Sequence, residues 1–263
     1  EAGADRLTQE TGMQTGVIYV ATGEDYLDLA RASAESLRQT NPGLPADLFT
    51  DLPDAAGLEM FDRVHRITQP HDRSKLDCLP LTRFDRTLFL DADTLVLRPL
   101  GDLFDVLDRF EMAMAHDVRR ASALVQEGLR HKTPYAVPQL NSGVLLYRRS
   151  DAMLAFLREW VARFHAEPQV DRDQVILKDL LWESDLRFWV LPPEFNLRRV
   201  TKLDAWEPLD VMPTILHSHR LLDHLRVPGA DRVRTLAQVV RLERLALEQE
   251  WAAVGGRPPD WDV

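Results

Sequence analysis

The chain has 263 residues, 45% apolar and 28% charged, enough to bury the core of one large α/β unit. Its net charge of -10 and pI near 5.3 argue against phosphate-backbone binding, so no nucleic-acid partner is expected. One cysteine, Cys78, excludes an internal disulfide and a cysteine-cluster metal site, and reads as a small buried hydrophobe. No apolar run of about 18 residues occurs, so no transmembrane helix is expected. Glu1 to Gln14 is polar and lacks a signal-peptide core, which makes the cytoplasm the expected location.

Strand and helix signals alternate from Gly16 onward. Gly16 to Thr22 reads as a buried strand, and Glu24 to Thr40 as a helix with Leu27, Ala30, Ala34 and Leu37 on one face. Asn41-Pro42-Gly43 ends that helix. Ala46 to Thr50 and Val64 to Ile67 are short strands, and Ser74 is expected to cap a helix reaching about Leu79. Thr87 to Leu90 is an apolar strand that runs into Asp91. Asp102 to Arg109 reads as a short helix, Glu111 to Ala115 as a strand, and Arg119 to Gln139 has no clear period. Then come a strand over Gly143 to Tyr147 and helices over Ala152 to Ala166 and Arg172 to Glu183. Phe188 to Leu191 and Thr214 to His217 read as strands. Arg232 to Trp251 reads as an amphipathic helix before a loose tail.

This alternation predicts a mostly parallel sheet covered by helices on both faces. With no linker and no internal repeat, a single domain over 1–263 is expected, its core about 15–220 and its C-terminal helix and tail about 230–263. Ligands in such sheets sit outside the carboxyl ends of the strands. Asp91-Ala92-Asp93 lies at such a place. On extended backbone residues two apart share a side, so both carboxylates can converge on one Mn²⁺ or Mg²⁺. His217 and His219, also two apart, would share a face if the strand continued through them.

An apolar strand followed by Asp-x-Asp-x-Thr also resembles the opening of the haloacid-dehalogenase-like phosphatases, where the first aspartate attacks phosphate. In that family the motif lies on the first strand, with a lysine and a Gly-Asp cluster downstream. Here about ninety residues come first and no Gly-Asp-x-x-x-Asp follows. The phosphatase, with Asp91 as nucleophile, is therefore the second reading, and a non-catalytic nucleotide-sugar binder the third.

Several segments in order resemble the glycogenin-like family 8 retaining glycosyltransferases of the GT-A fold. They are Ala21-Thr22 with Tyr26, Ser74-Lys75-Leu76-Asp77-Cys78, Phe89 to Leu97 around Asp91-Ala92-Asp93, Leu140-Asn141-Ser142-Gly143-Val144, Asp173-Gln174, and Ile215-Leu216-His217. The resemblance implies a GT-A-type, Rossmann-like sheet and transfer of a hexosyl group from a UDP-sugar to an acceptor hydroxyl. It further implies that Ala21, Thr22 and Tyr26 cup the base, that Lys75 approaches the donor, and that Asn141, Ser142 and Gly143 touch the sugar. Asp173, Gln174 and Asn141 would stand near the anomeric centre. Asp91, Asp93 and His217 would hold Mn²⁺ (or Mg²⁺), with His219 the alternative to His217.

One departure stands out. The family's glycine after the histidine and the Lys-Pro-Trp beyond it are replaced by Arg220 and Asp223, so Arg220 or Arg226 is expected to substitute for that diphosphate-binding lysine. The irregular Arg119 to Gln139 segment is the expected acceptor side. The C-terminal helix is expected to pack on the domain, with homodimerisation the next reading.

Overall fold

A computed structural model of the protein describes residues 13–118, 126, 128–205, 207–210 and 212–256. Most of the polar N-terminal stretch, part of the irregular segment after Val118 and the last residues of the tail lie outside the described residues. In chain order the strands are β1 (Thr15–Ala21), β2 (Ala46–Thr50), β3 (Arg63–Arg66), β4 (Arg86–Leu90), β5 (Thr94–Val96), β6 (Met112–Ala115), β7 (Val144–Arg148), β8 (Phe188–Leu191) and β9 (Ile215–His217). Seven of them form one sheet in the order β3-β2-β1-β4-β7-β6-β8, and β5 pairs with β9 in a small second sheet. All neighbours in the large sheet are parallel except β7, which runs opposite to both β4 and β6.

The central strands carry consecutive apolar residues through their middles because both faces are covered. On β1, Val17, Tyr19 and Ala21 enter one core and Ile18 the other. On β4, Leu88 and Leu90 divide from Phe89 in the same way; on β7, Val144 and Leu146 divide from Leu145 and Tyr147. Helix α1 (Gly23–Thr40) buries Leu27, Ala30, Ala34 and Leu37 against the first core. Helices α3 (Asp151–Ala166) and α4 (Asp173–Glu183) cover the second with Met153, Leu157, Trp160, Ile176 and Leu177.

The remaining helices differ from expectation in ways the local hydrogen bonds explain. Helix α2 spans Ser74–Cys78, with Arg73 and not Ser74 at the cap. The Ser74 hydroxyl instead reaches back to accept from the His71 N–H and donate to the His71 carbonyl, both at 2.8 Å. A short helix, α5, covers Asp223–Arg226. The C-terminal helix α6 is Leu236–Ala253, beginning four residues later than its pattern suggests, because Thr235 and Gln238 form a capping box. It packs on the domain through buried Val239, with Val240 and Leu242 partly buried beside it.

Two antiparallel pairings build the site. Because β7 opposes β4, with Leu90 across from Val144, the residues that enter β7 lie beside those that leave β4, and the Asp91 N–H donates to the Gly143 carbonyl at 2.8 Å. Because β9 opposes β5, His217 lies across from Thr94, and the Ser218 N–H donates to the Asp93 carbonyl at 3.1 Å. Helix α1 stitches this turn down: the Ser36 hydroxyl accepts from the Val96 N–H at 2.9 Å, and the Thr94 hydroxyl donates to the Asp91 carbonyl at 2.8 Å. Thr94 has thereby used its one proton, so buried Ser33 donates in the 2.8 Å bond between their hydroxyls. Ser33→Ala should lower stability by about 1–2 kcal/mol, measured by chemical denaturation, since it strips a buried hydroxyl of its donor.

Candidate functional site

The Asp91 and Asp93 carboxylates come from the β4–β5 turn, and His217 from the last position of β9. One ligand atom from each lies within 4.8 Å of the others. His217 Nε2 is 3.4 Å from Asp93 Oδ1 and 3.9 Å from Asp91 Oδ2. Its other nitrogen, Nδ1, bonds the Asn196 side-chain oxygen at 3.0 Å, which leaves Nε2 aimed at the aspartates. A partner on the far nitrogen that fixes ring and tautomer is what metal-ligating histidines require. Asn196 is held in turn, its amide donating to the Asn141 Oδ1 at 2.9 Å.

At Gly143, beside the cluster, a side chain could not fit. A Cβ there would lie 2.1 Å from His217 Cε1 and 2.6 Å from Asp91 Oδ2. Its backbone is not in the left-handed region, so glycine is required by close approach and not by a turn.

Lys75, from the first turn of α2, closes the cluster. Its ammonium donates to both Asp91 oxygens at 3.3 and 3.4 Å and to the Ser142 hydroxyl at 3.1 Å, and stands 3.5 Å from Asp173 Oδ2. Burial pulls its pKa down, but Asp173 and Asp91 outweigh that and hold it above the usual lysine range. Asp173, the first residue of α4, is buried and accepts from the Ser142 hydroxyl at 2.8 Å. Burial pushes its carboxyl up, yet the charges of Lys75 and Arg73 and the Ser142 bond bring it below the usual value. Asp93 behaves alike: burial opposes ionisation, the charge and hydrogen bond of His217 and the charge of Arg198 favour it, and its pKa falls to about 2.

Asn141 and Gln174 lock this arrangement from beneath. Gln174 Oε1 accepts from the Asn141 amide at 3.0 Å and the Ser142 N–H at 3.4 Å, while its own amide donates to Asp117 at 2.8 Å. Asn141 Oδ1 also accepts from the Gly143 N–H at 3.1 Å, beside the bond it takes from Asn196. Asn141 and Ser142 are buried to within 2% of full, which makes them struts of the site.

Above the cluster opens a cleft of about 880 Å³ whose lining includes Thr22, Tyr26, Lys75, Asp93 and Arg226. Tyr26, 43% exposed, offers it an aromatic face; Ala92 also lines it, whereas Ala21 is buried. His219 and Arg220 stand apart. The strand ends at His217, and the Ser218 hydroxyl accepts from the Arg220 N–H to start a 3-10 turn, so the two histidines do not share a face. His219 approaches Glu243 of α6, and Arg220 donates to the same carboxylate at 2.8 Å. Of the two arginines proposed from sequence, it is Arg226 that lines the cleft. Asn196, Arg198, Asp117 and Arg73 belong to the site without having been singled out in the sequence. None sits in a recognisable motif, and only topology brings them in. Cys78 is buried, its thiol pushed up to about 12 by burial and by Asp77, in keeping with a packing role. Of the expected acceptor segment, 119–125 and 127 lie outside the described residues. The rest is pinned to α4, where buried Asp179 accepts from the Arg130 N–H at 2.5 Å.

No family model matches the sequence, and no curated protein matches it either. Solved structures do. The chain is similar to the glycosyltransferase GlyE of Streptococcus pneumoniae TIGR4, at 20% identity and a TM-score of 0.60, over 95% of this chain and 66% of that one. It is also similar to the galactosyltransferase LgtC, solved with donor and acceptor sugar analogs, at 17% identity and a TM-score of 0.55, over 94% of this chain and 98% of that one. The chain thus spans about two thirds of the length of GlyE. At these identities the likeness establishes the fold, the mostly parallel GT-A-like α/β architecture of those two glycosyltransferases.

Two outcomes follow from the geometry. Gly143→Ala should displace the His217 ring or Asp91 and lower stability by about 1–3 kcal/mol, read by denaturation and by a crystal structure of the variant. Asp93, with a folded pKa of about 2 against an ordinary 3.8, contributes stability above the ordinary value that is lost as pH falls toward 2. Asp93→Asn should therefore flatten the acid limb of the stability-against-pH curve by about 2 kcal/mol.

Proposed function

We propose that this chain is a metal-dependent glycosyltransferase that moves a hexosyl group from a UDP-sugar to an acceptor hydroxyl with retention of configuration. The observation that carries the reading is the convergence of Asp91, Asp93 and His217 beside Lys75 and Asp173, at the strand ends of a fold shared with GlyE and LgtC. The donor set, two carboxylates and one oriented imidazole, suits Mn²⁺ or Mg²⁺, and the cradle is one that a Cβ at Gly143 would fill. A divalent ion held by these three side chains supplies positive charge for a departing diphosphate.

The chain's own groups supply the rest. Tyr26 and Thr22 bind the base end of the nucleotide in the cleft, and Arg226 adds a cation on the same side. Lys75 neutralises charge next to Asp91, preorganised before substrate arrives. As the bond to the leaving diphosphate breaks, the anomeric carbon gains cationic character, and the ionised Asp173 is the group placed to face it. Asn141, Ser142 and Gln174 keep Asp173 and Lys75 in register.

UDP with Mn²⁺ should raise the melting temperature, and Asp93→Ala should abolish the gain. No shift with any nucleoside diphosphate and Mn²⁺, or phosphomonoester turnover through a phosphorylated Asp91, would sink the transferase reading. Within it, Arg226→Ala should weaken UDP binding by about tenfold, roughly 1.4 kcal/mol, and Arg220→Ala should leave it nearly unchanged. The reverse order would hand the diphosphate role to Arg220.

A further inference from the structure

A second group of metal-ligating side chains lies outside the cluster just described. His71 stands in the loop before α2, Asp77 on α2 itself, and His165 in the last turn of α3. His71 Nε2 is 2.5 Å from Asp77 Oδ2, and His165 Nε2 is 2.9 Å from Asp77 Oδ1. Both imidazoles thus converge on the two oxygens of a single carboxylate, from positions 88 residues apart in the case of His165. The rings meet edge to face, with centroids 5.3 Å apart, and one ligand atom from each residue lies within 4.8 Å of the others. All three side chains are a third to a half exposed, so an ion can reach them from solvent.

We infer that His71, Asp77 and His165 form a second divalent-metal site, of the Zn²⁺ class, at the rim of the cleft that His71 lines. Exposed histidine–aspartate pairs contribute little by themselves, which leaves the convergence of two rings on one carboxylate without an energetic reason in the pairs alone. An ion bridging all three supplies that reason. Two imidazoles and one carboxylate form a borderline donor set that favours Zn²⁺ and its late first-row neighbours, with a fourth position left for water. The oxygen-richer Asp91, Asp93 and His217 set favours Mn²⁺ or Mg²⁺, so the two clusters select different ions.

Loading requires a change of tautomer at His71. The Arg73 N–H approaches His71 Nδ1 at 3.2 Å, which places the proton of the neutral ring on Nε2. Coordination through Nε2 therefore needs the ring's proton to move to Nδ1, with loss of the Arg73 contact and no net release of a proton. The bound ion would tie α2 to the end of α3. Lys75 stands two residues before Asp77 on α2.

The site stands whether or not the cleft holds a sugar nucleotide, and its test does not depend on activity. The EDTA-stripped full chain is titrated with Zn²⁺ against a chromophoric chelator, alongside His165→Ala and Asp77→Asn. Each variant should lose one tight Zn²⁺ equivalent, bound weaker by about a hundredfold or more, beyond the cost of losing an outer partner. Mn²⁺ binding at the first cluster, measured on the same samples, should persist in both variants and reports that they are folded. Variants that take up Zn²⁺ with the parent's stoichiometry and within about threefold of its affinity overturn the inference. Asp77→Asn keeps the side-chain shape, so the test survives if His165→Ala fails to fold.

Discussion

The partly buried ammonium of Lys75 is the contact on which the rest of the site depends. Three carboxylates, Asp91, Asp93 and Asp173, gather at one end of the sheet, and burial alone would drive protons onto Asp93 and Asp173. Lys75 touches two of the three and the hydroxyl of Ser142 between them. The third, Asp93, draws on His217 and Arg198. Removing one member of such a buried set leaves an uncompensated charge, a cost of about 3–5 kcal/mol, which is why the members constrain one another. Asp93 and Asp173 are ionised before any ligand arrives, so neither has to lose a proton for binding.

Reversal of a single strand makes that gathering possible. In an all-parallel sheet every segment entering a strand would lie at the end opposite Asp91. Because β7 runs against its neighbours, Asn141, Ser142 and Gly143 enter it beside the exit of β4. The close approach that results admits no side chain at position 143. Tight packing and polar satisfaction thus meet at one residue: Gly143 lends its carbonyl to Asp91 and its N–H to Asn141, and keeps its space clear for His217.

Much of this was legible in the sequence because burial on both faces writes strands as continuous apolar runs. Gly16 to Thr22 and Thr87 to Leu90 fall within about a residue of β1 and β4 for that reason. β5 escaped notice, since its three residues have no run to display and are held by α1 through Ser36 and by β9. The histidine pair misled in a definite way. Period-two reasoning needs the strand to continue, and Ser218 ends it by capping the turn that follows. Asn196 and Arg198 come from irregular chain before β9, where neither spacing nor composition marks a site. Arg220 was one candidate for the diphosphate, but Glu243, on a helix whose true start is set by Thr235, takes it up.

The Asp-x-Asp letters serve two chemistries, and their surroundings separate them on physical grounds. A nucleophilic carboxylate needs one oxygen with an open line to phosphorus and a neighbour that can manage the leaving group's proton. Asp91 has both oxygens within 3.4 Å of an ammonium and a histidine ring 3.9 Å away on its other flank. Neighbours on both oxygens leave neither with an open line to phosphorus, while suiting the carboxylate to hold a cation in place. Asp93 points the same way, since a pKa near 2 leaves no proton at neutral pH for it to donate as an acid. Asp93 is thus arranged to stay charged, the property a metal ligand needs and an acid catalyst cannot use.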